Sequence, residues 1–199
     1  MMLPNVRLAV ARLCLPRCAR RRALEELFAR TAAAFGSPVP PPQGRGPAAR
    51  LAEYARFTQE CSEKALAGCA EEGASKVEGG ESDGPIALAA LERRLYGAAR
   101  GLGGRMRLQL GVRSPGEAMA AARILYQALG VDFRGSADGQ IVIRRCSFAA
   151  VYTPRVCALV SALDRGLLAG LAGGGELRFA QRLTEGACCC RAYLEGASA

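Results

Sequence analysis

Cys157 has the residue type and the position for nucleophilic chemistry. Thr153 followed by Pro154 reads as a helix cap with a proline at the first helical position, which places Cys157 in the first turn. Free backbone N–H groups and the positive end of the helix dipole favour a thiolate there, and Arg144, Arg145 and Arg155 add to that field. Ser161 and Asp164, four and seven positions on, fall on the same helix face. A thiol, a hydroxyl and a carboxylate can therefore line one pocket. The plainer alternative is a small buried cysteine beside a solvent-facing aspartate.

Further thiols surround this stripe. Cys146 ends the strand before the helix, and Ser147 to Val156 allow the chain to return so that Cys146 lies near Cys157. If Cys188 to Glu195 is one strand, its period of two turns Cys188 and Cys190 inward with Ala192 and Leu194. Cys189 then points outward with Arg191 and Glu195. Cys146, Cys157, Cys188 and Cys190 form a candidate all-thiolate set for zinc or an iron–sulfur cluster, although the chain holds no C-x-x-C pair. Packed free thiols are the competing expectation. Cys14 with Cys18, one helical turn apart, and Cys61 with Cys69, two turns apart, read as structural.

Histidine is absent from the 199 residues, which removes the usual general base, the commonest metal ligand and any histidine triad. Chemistry must rely on Cys, Asp, Glu, Arg, Tyr or Ser. The nine cysteines are odd in number and follow no secretory signal pattern, which favours reduced thiols and a cytoplasmic protein. The formal charge of +9 comes almost wholly from arginines spread along the chain with few aromatics, so nucleic acid is disfavoured as a partner. No run approaches the ~18 apolar residues of a membrane span. Gly173–Gly174–Gly175 lacks the Lys-Ser/Thr of a phosphate loop and reads as a helix stop.

The elements that must position these residues follow from periodicity and breakers. Met1 to Gly36 reads as a basic helical arm, with a helix over Arg20–Phe35; its acid-free opening also resembles a transit peptide, the arm being the preferred account. The prolines of Ser37 to Pro47 form a linker. Residues 48–199 read as a single α+β domain. Helices are expected over Arg50–Cys69 and Ile86–Leu110, joined by a mobile acidic loop at 71–85. Ser114, Pro115 and Glu117 give the cap, N1 proline and capping-box acid of a helix that Gly130 stops. Strands are expected over Val131–Phe133 and Gln140–Arg145, then a helix from Arg155 to about Leu171. A hairpin of Glu176–Leu183 and Cys188–Glu195 closes the chain. N-terminal helices followed by a strand, helix and hairpin imply an antiparallel sheet.

The stretch Ile141 to Tyr193 resembles the small bacterial and archaeal proteins of the L-2-amino-thiazoline-4-carboxylic acid hydrolase-like family and, more distantly, the vinyl-reductase type of small-molecule-binding domain. The features that carry the resemblance are Arg145–Cys146 at a strand end, Cys157 at a helix start, a Gly-rich break, and a last strand bearing Cys188 or Cys190. It implies hydrolysis of an amidine-like carbon–nitrogen bond in a small sulfur heterocycle. Cys157 would attack the carbon, Asp164 or Glu185 would handle protons, and Arg145 or Arg155 would pair with the substrate carboxylate beside Ser161. The alternatives are a cysteine-ligated metal- or small-molecule-binding module without catalysis, and a basic adaptor for acidic partners. The expected partner is a small-molecule ligand, with no membrane; self-association is left open.

Overall fold

The computed structural model describes residues 5–13, 17–74 and 84–196. Six helices and four strands follow the order α1 (Val6–Leu13), α2 (Arg17–Phe35), α3 (Pro47–Ala74), α4 (Gly84–Leu110), α5 (Pro115–Ala128), β1 (Val131–Gly135), β2 (Gln140–Cys146), α6 (Pro154–Ala172), β3 (Glu176–Gln181) and β4 (Cys190–Glu195). A 3-10 turn at Leu183–Glu185 lies between the last two strands. The helices are mostly N-terminal and the strands C-terminal, so the chain is α+β.

The sheet is antiparallel throughout, in the order β1-β2-β4-β3. Two hairpins therefore meet through β2 and β4, with Ile141 opposite Ala192 and Ile143 opposite Cys190. The inward residues alternate as the sequence pattern requires: Ile141, Ile143, Cys190, Ala192 and Leu194 are buried against the helices.

α5 and α6 begin as expected. Ser114 Oγ accepts from the Glu117 amide and Thr153 Oγ1 from the Val156 amide, each at 3.3 Å, with a proline inside each cap. α6 ends at Gly173, whose φ of +79° is left-handed.

The N-terminal segment departs from the expected arm. Leu24, Leu27, Phe28 and Ala34 of α2 belong to the same buried cluster as α5, α6 and the sheet. The apolar residues of α2 face α3 and α4, so it is a structural layer of the domain. Residues 37–46 form no regular element, as the prolines dictate. They are nonetheless anchored: Glu53 Oε1 accepts the Gln43 and Gly44 amides, and Arg50 donates to the Pro40 carbonyl. Of the expected loop at 71–85, residues 71–74 continue α3 and 84–85 begin α4, while 75–83 lie outside the described residues. Cys14 also lies outside them, as do the side chains of Cys18 and Cys69.

α4 and α6 form the most extensive helix pair, and they meet backbone to backbone. A Cβ on Gly166 would land on the Tyr96 carbonyl oxygen, one on Gly170 on that of Arg100, and one on Gly103 on that of Leu167. Small residues on both helices are what permit this approach. The result fixes α6, and with it the residues that face the sheet.

Candidate functional site

A cavity of about 100 Å³ lies between α5, α6, β2, the turn after β2 and the 3-10 turn. Its walls are mainly apolar and aromatic, among them Phe148, Tyr152, Val160, Leu167 and Phe179. Phe148 and Tyr152 stack with ring centroids 5.4 Å apart, and Phe148 meets Tyr54 edge-on at 5.9 Å. The volume is somewhat below the ~150 Å³ of an engineered apolar cavity that holds benzene in another protein. It therefore suits a small molecule of a few heavy atoms.

Into this apolar space the chain places one carboxylate. Asp164 lines the cavity from α6 and retains some accessible surface, while the surrounding apolar groups withhold bulk solvent. Burial pushes its pKa up to about 6, against the opposing effects of a hydrogen bond from Tyr126 and the charges of Arg182 and Arg165. The Tyr126 hydroxyl donates to Asp164 Oδ1 at 2.6 Å. Tyr126 is itself held by stacking on Phe133, with centroids 4.7 Å apart. Burial, and next to it the Asp164 charge, raise its pKa well above the ordinary tyrosine value. The buried Tyr152 hydroxyl also lies in the lining, near Thr58, and no well-formed hydrogen bond satisfies it among the described residues.

Three thiols share the lining: Cys146, Cys157 and Cys190. Burial raises all three, Cys146 to about 11. At Cys157 the Thr184 hydroxyl and Arg182 oppose the rise, and the charges of Asp164 and Cys190 reinforce it. The helix start expected to favour a thiolate is present, yet desolvation outweighs it. Burial thus favours the neutral thiol at Cys157.

The remaining expected residues separate. Ser161 lines the cavity, but its Oγ donates to the Cys157 carbonyl at 2.6 Å, an ordinary bond within the helix. Glu185 lies outside the lining, paired with Arg182 at 3.3 Å. Arg155 is exposed and also outside it. Arg145 faces a separate outer groove with Arg134 and Arg144. Asp164 and Cys157 share the cavity but sit two helical turns apart, about 10 Å along the axis by helix geometry.

Two expectations about the cysteine triplet are corrected. β4 begins at Cys190, so its alternation does not extend back to Cys188 and Cys189. Cys188 is exposed and outside the cavity, whereas Cys189 is buried. Only Cys190 of the triplet faces inward on the strand. The four-cysteine metal set is consequently not assembled: Cys146, Cys157 and Cys190 share the cavity without Cys188. Among the described residues, no group of three or more Cys, Asp or Glu side chains could hold a metal ion. No helix among them is long and apolar enough to cross a membrane.

Two residues of the site went unnoticed in the sequence. Tyr126 sits on the apolar stripe of α5 with Ala122 and Leu129, where a lone hydroxyl is the available signal. Arg182 lies over the cavity-lining Phe179 ring, its guanidinium carbon 4.7 Å from the centroid. Comparison of the chain with protein-family models, curated proteins and solved structures returns no match.

Proposed function

We propose that this domain binds a small, mainly apolar molecule in the cavity and recognises it through a donor or weakly basic group placed against Asp164. The observation that carries this reading is the Tyr126–Asp164 pair inside an otherwise apolar enclosure. A largely desolvated carboxylate seeks a hydrogen-bond donor or a cation, and Tyr126 satisfies only part of its capacity. A neutral amine, an amidine or a hydroxyl on the ligand supplies the rest. A free carboxylate on the ligand would be repelled by Asp164, whose charge Arg182 and Arg165 offset only in part from outside the lining.

Binding without turnover is the reading favoured over hydrolysis. A hydrolase of the kind the sequence resemblance implies needs Cys157 as thiolate, and its surroundings hold the proton on. It also needs a base within reach of that thiol, whereas Asp164 stands two helical turns away.

The test is a thermal-shift and calorimetric comparison of matched fragments: small aliphatic amines and amidines against the corresponding carboxylic acids, at pH 7. Amines are expected to bind and acids to fail. Ala149→Leu, which fills the cavity, should abolish binding, and Asp164→Asn should remove the preference for bases. Equal binding of acids and amines, or amine binding that survives Ala149→Leu, defeats the proposal.

A further inference from the structure

We propose that Cys188 and Cys189 form a thiol–disulfide exchange site that reacts with small disulfides and closes to a bond between the two adjacent residues. The pair lies outside the cavity, and the inference does not depend on the ligand that the cavity takes.

The geometry comes from the local chain. Adjacent cysteines on a strand diverge, but the segment from Gly186 to Cys189 is irregular. Freed from the pleat, Cys188 turns toward its neighbour, and its thiol donates to Cys189 Sγ across 3.9 Å. Gln181 Nε2 from β3 grips the other side, donating to the Cys189 carbonyl at 3.0 Å and to Cys189 Sγ at 3.4 Å. Arg191, chiefly by hydrogen bonding, holds the Cys189 thiol below its ordinary range, with Cys188 and Gln181 adding to the effect. Cys190 is kept apart: it faces the cavity, and its sulfur accepts the Leu183 amide at 3.3 Å.

Exposure assigns the order of events. Cys188 is exposed and meets the disulfide first, whereas Cys189 is shielded behind it. Cys188 sulfur attacks one sulfur of the disulfide RSSR. Its proton leaves with the displaced group as RSH. Cys189 sulfur then attacks Cys188 sulfur in the mixed disulfide, and the second RS⁻ departs with the proton from Cys189 as RSH. Two protein thiols are oxidised by two electrons, and one RSSR is reduced to two RS groups. The positive charge of Arg191 suits an anionic disulfide such as oxidised glutathione. Neighbouring Cα atoms stand about 3.8 Å apart across a trans peptide, closer than the ~4.4–6.8 Å of ordinary disulfides. The product is therefore strained and readily reduced, as a reversible switch requires.

Trypsin releases Leu183–Arg191 as one peptide holding Cys188, Cys189 and Cys190. The full-length reduced protein would be incubated with oxidised glutathione, acid-quenched, alkylated after denaturation and digested. The expected peptide is lighter by two hydrogens and carries one alkyl group, on Cys190. Cys189→Ser should instead accumulate a glutathione adduct on Cys188, and Cys190→Ser should leave the closure intact. Three alkyl groups on the wild-type peptide at every glutathione ratio, or a bridge that includes Cys190, overturns the proposal. Because the wild-type peptide decides this alone, a variant that fails to fold does not leave the matter open.

Discussion

The Tyr126 hydroxyl donates to Asp164 Oδ1 across 2.6 Å, tying α5 to α6 inside an apolar cavity. The bond stabilises the charged form of the carboxyl, and burial opposes it more strongly, leaving the pKa at about 6. The folded state thus holds the Asp164 proton more tightly than the unfolded chain, where an aspartate titrates near 3.9. Stability from this group is complete below pH ~4 and declines as the pH rises to about 6.

Asp164→Asn removes that titration. Relative to the variant, wild type should lose about 2 kcal/mol between pH 4 and pH 7, as a carboxyl titrating at about 6 in the folded protein is set against ~3.9 in the unfolded chain at 1.36 kcal/mol per pH unit. Urea denaturation of both proteins across that range reads the difference. Parallel curves would mean that Asp164 is solvated and carries no such shift.

Tyr126→Phe keeps the ring and its stacking on Phe133 while removing the donor. A carboxylate left short of a partner should cost about 1–3 kcal/mol at pH 7. Because the lost bond favoured the charged form, the Asp164 pKa should move further up, and the pH window of instability with it. NMR titration of the Asp164 carboxyl carbon checks the direction.

Gly166→Ala and Gly170→Ala test the helix contact that sets α6 in place. Each added Cβ would meet a carbonyl oxygen of α4, which cannot move without shifting the helix. Losses of at least about 2 kcal/mol are expected despite the better helix propensity of alanine. Gly97→Ala, with open space around the new Cβ, is the control and should be neutral or stabilising. Thermal denaturation of the three variants separates the two effects.

What the sequence disclosed depended on how local the cause was. The caps at Ser114 and Thr153 and the stop at Gly173 rest on neighbours in the chain, and all three hold. The inward faces of the strands likewise follow from a period of two, and the antiparallel sheet from the order of helices, strand and hairpin. β4 starts two residues later than the alternation of Cys188 to Glu195 suggests, because the irregular segment after the 3-10 turn runs to Cys189. Cys157 was correctly placed at a helix start, but its ionisation depends on walls supplied by β2, the 3-10 turn and β4. Such desolvation is invisible to spacing. Tyr126 escaped notice for a related reason: its partner lies on another helix.

The anchoring of residues 37–46 offers a last test, because a proline-rich segment is held here by a buried charge cluster. Arg50, with 7% of its side chain exposed, donates to Glu25 and to Glu53, each at 2.9 Å, and lies 4.3 Å above the Phe28 ring. Glu53 is equally buried and also accepts the Gln43 and Gly44 amides, so the Glu53 contact carries more than the half-open Glu25 one. Arg50→Met leaves the Glu53 carboxylate with the two amides as its remaining donors and should destabilise the segment. Arg50→Lys restores the charge but not a planar fork that reaches both carboxylates and the Pro40 carbonyl, so it should recover only part of the loss. Limited proteolysis gives the local readout. Cleavage at Arg45 should accelerate in Arg50→Met before global unfolding sets in, and unchanged cleavage would show that the prolines alone hold the segment.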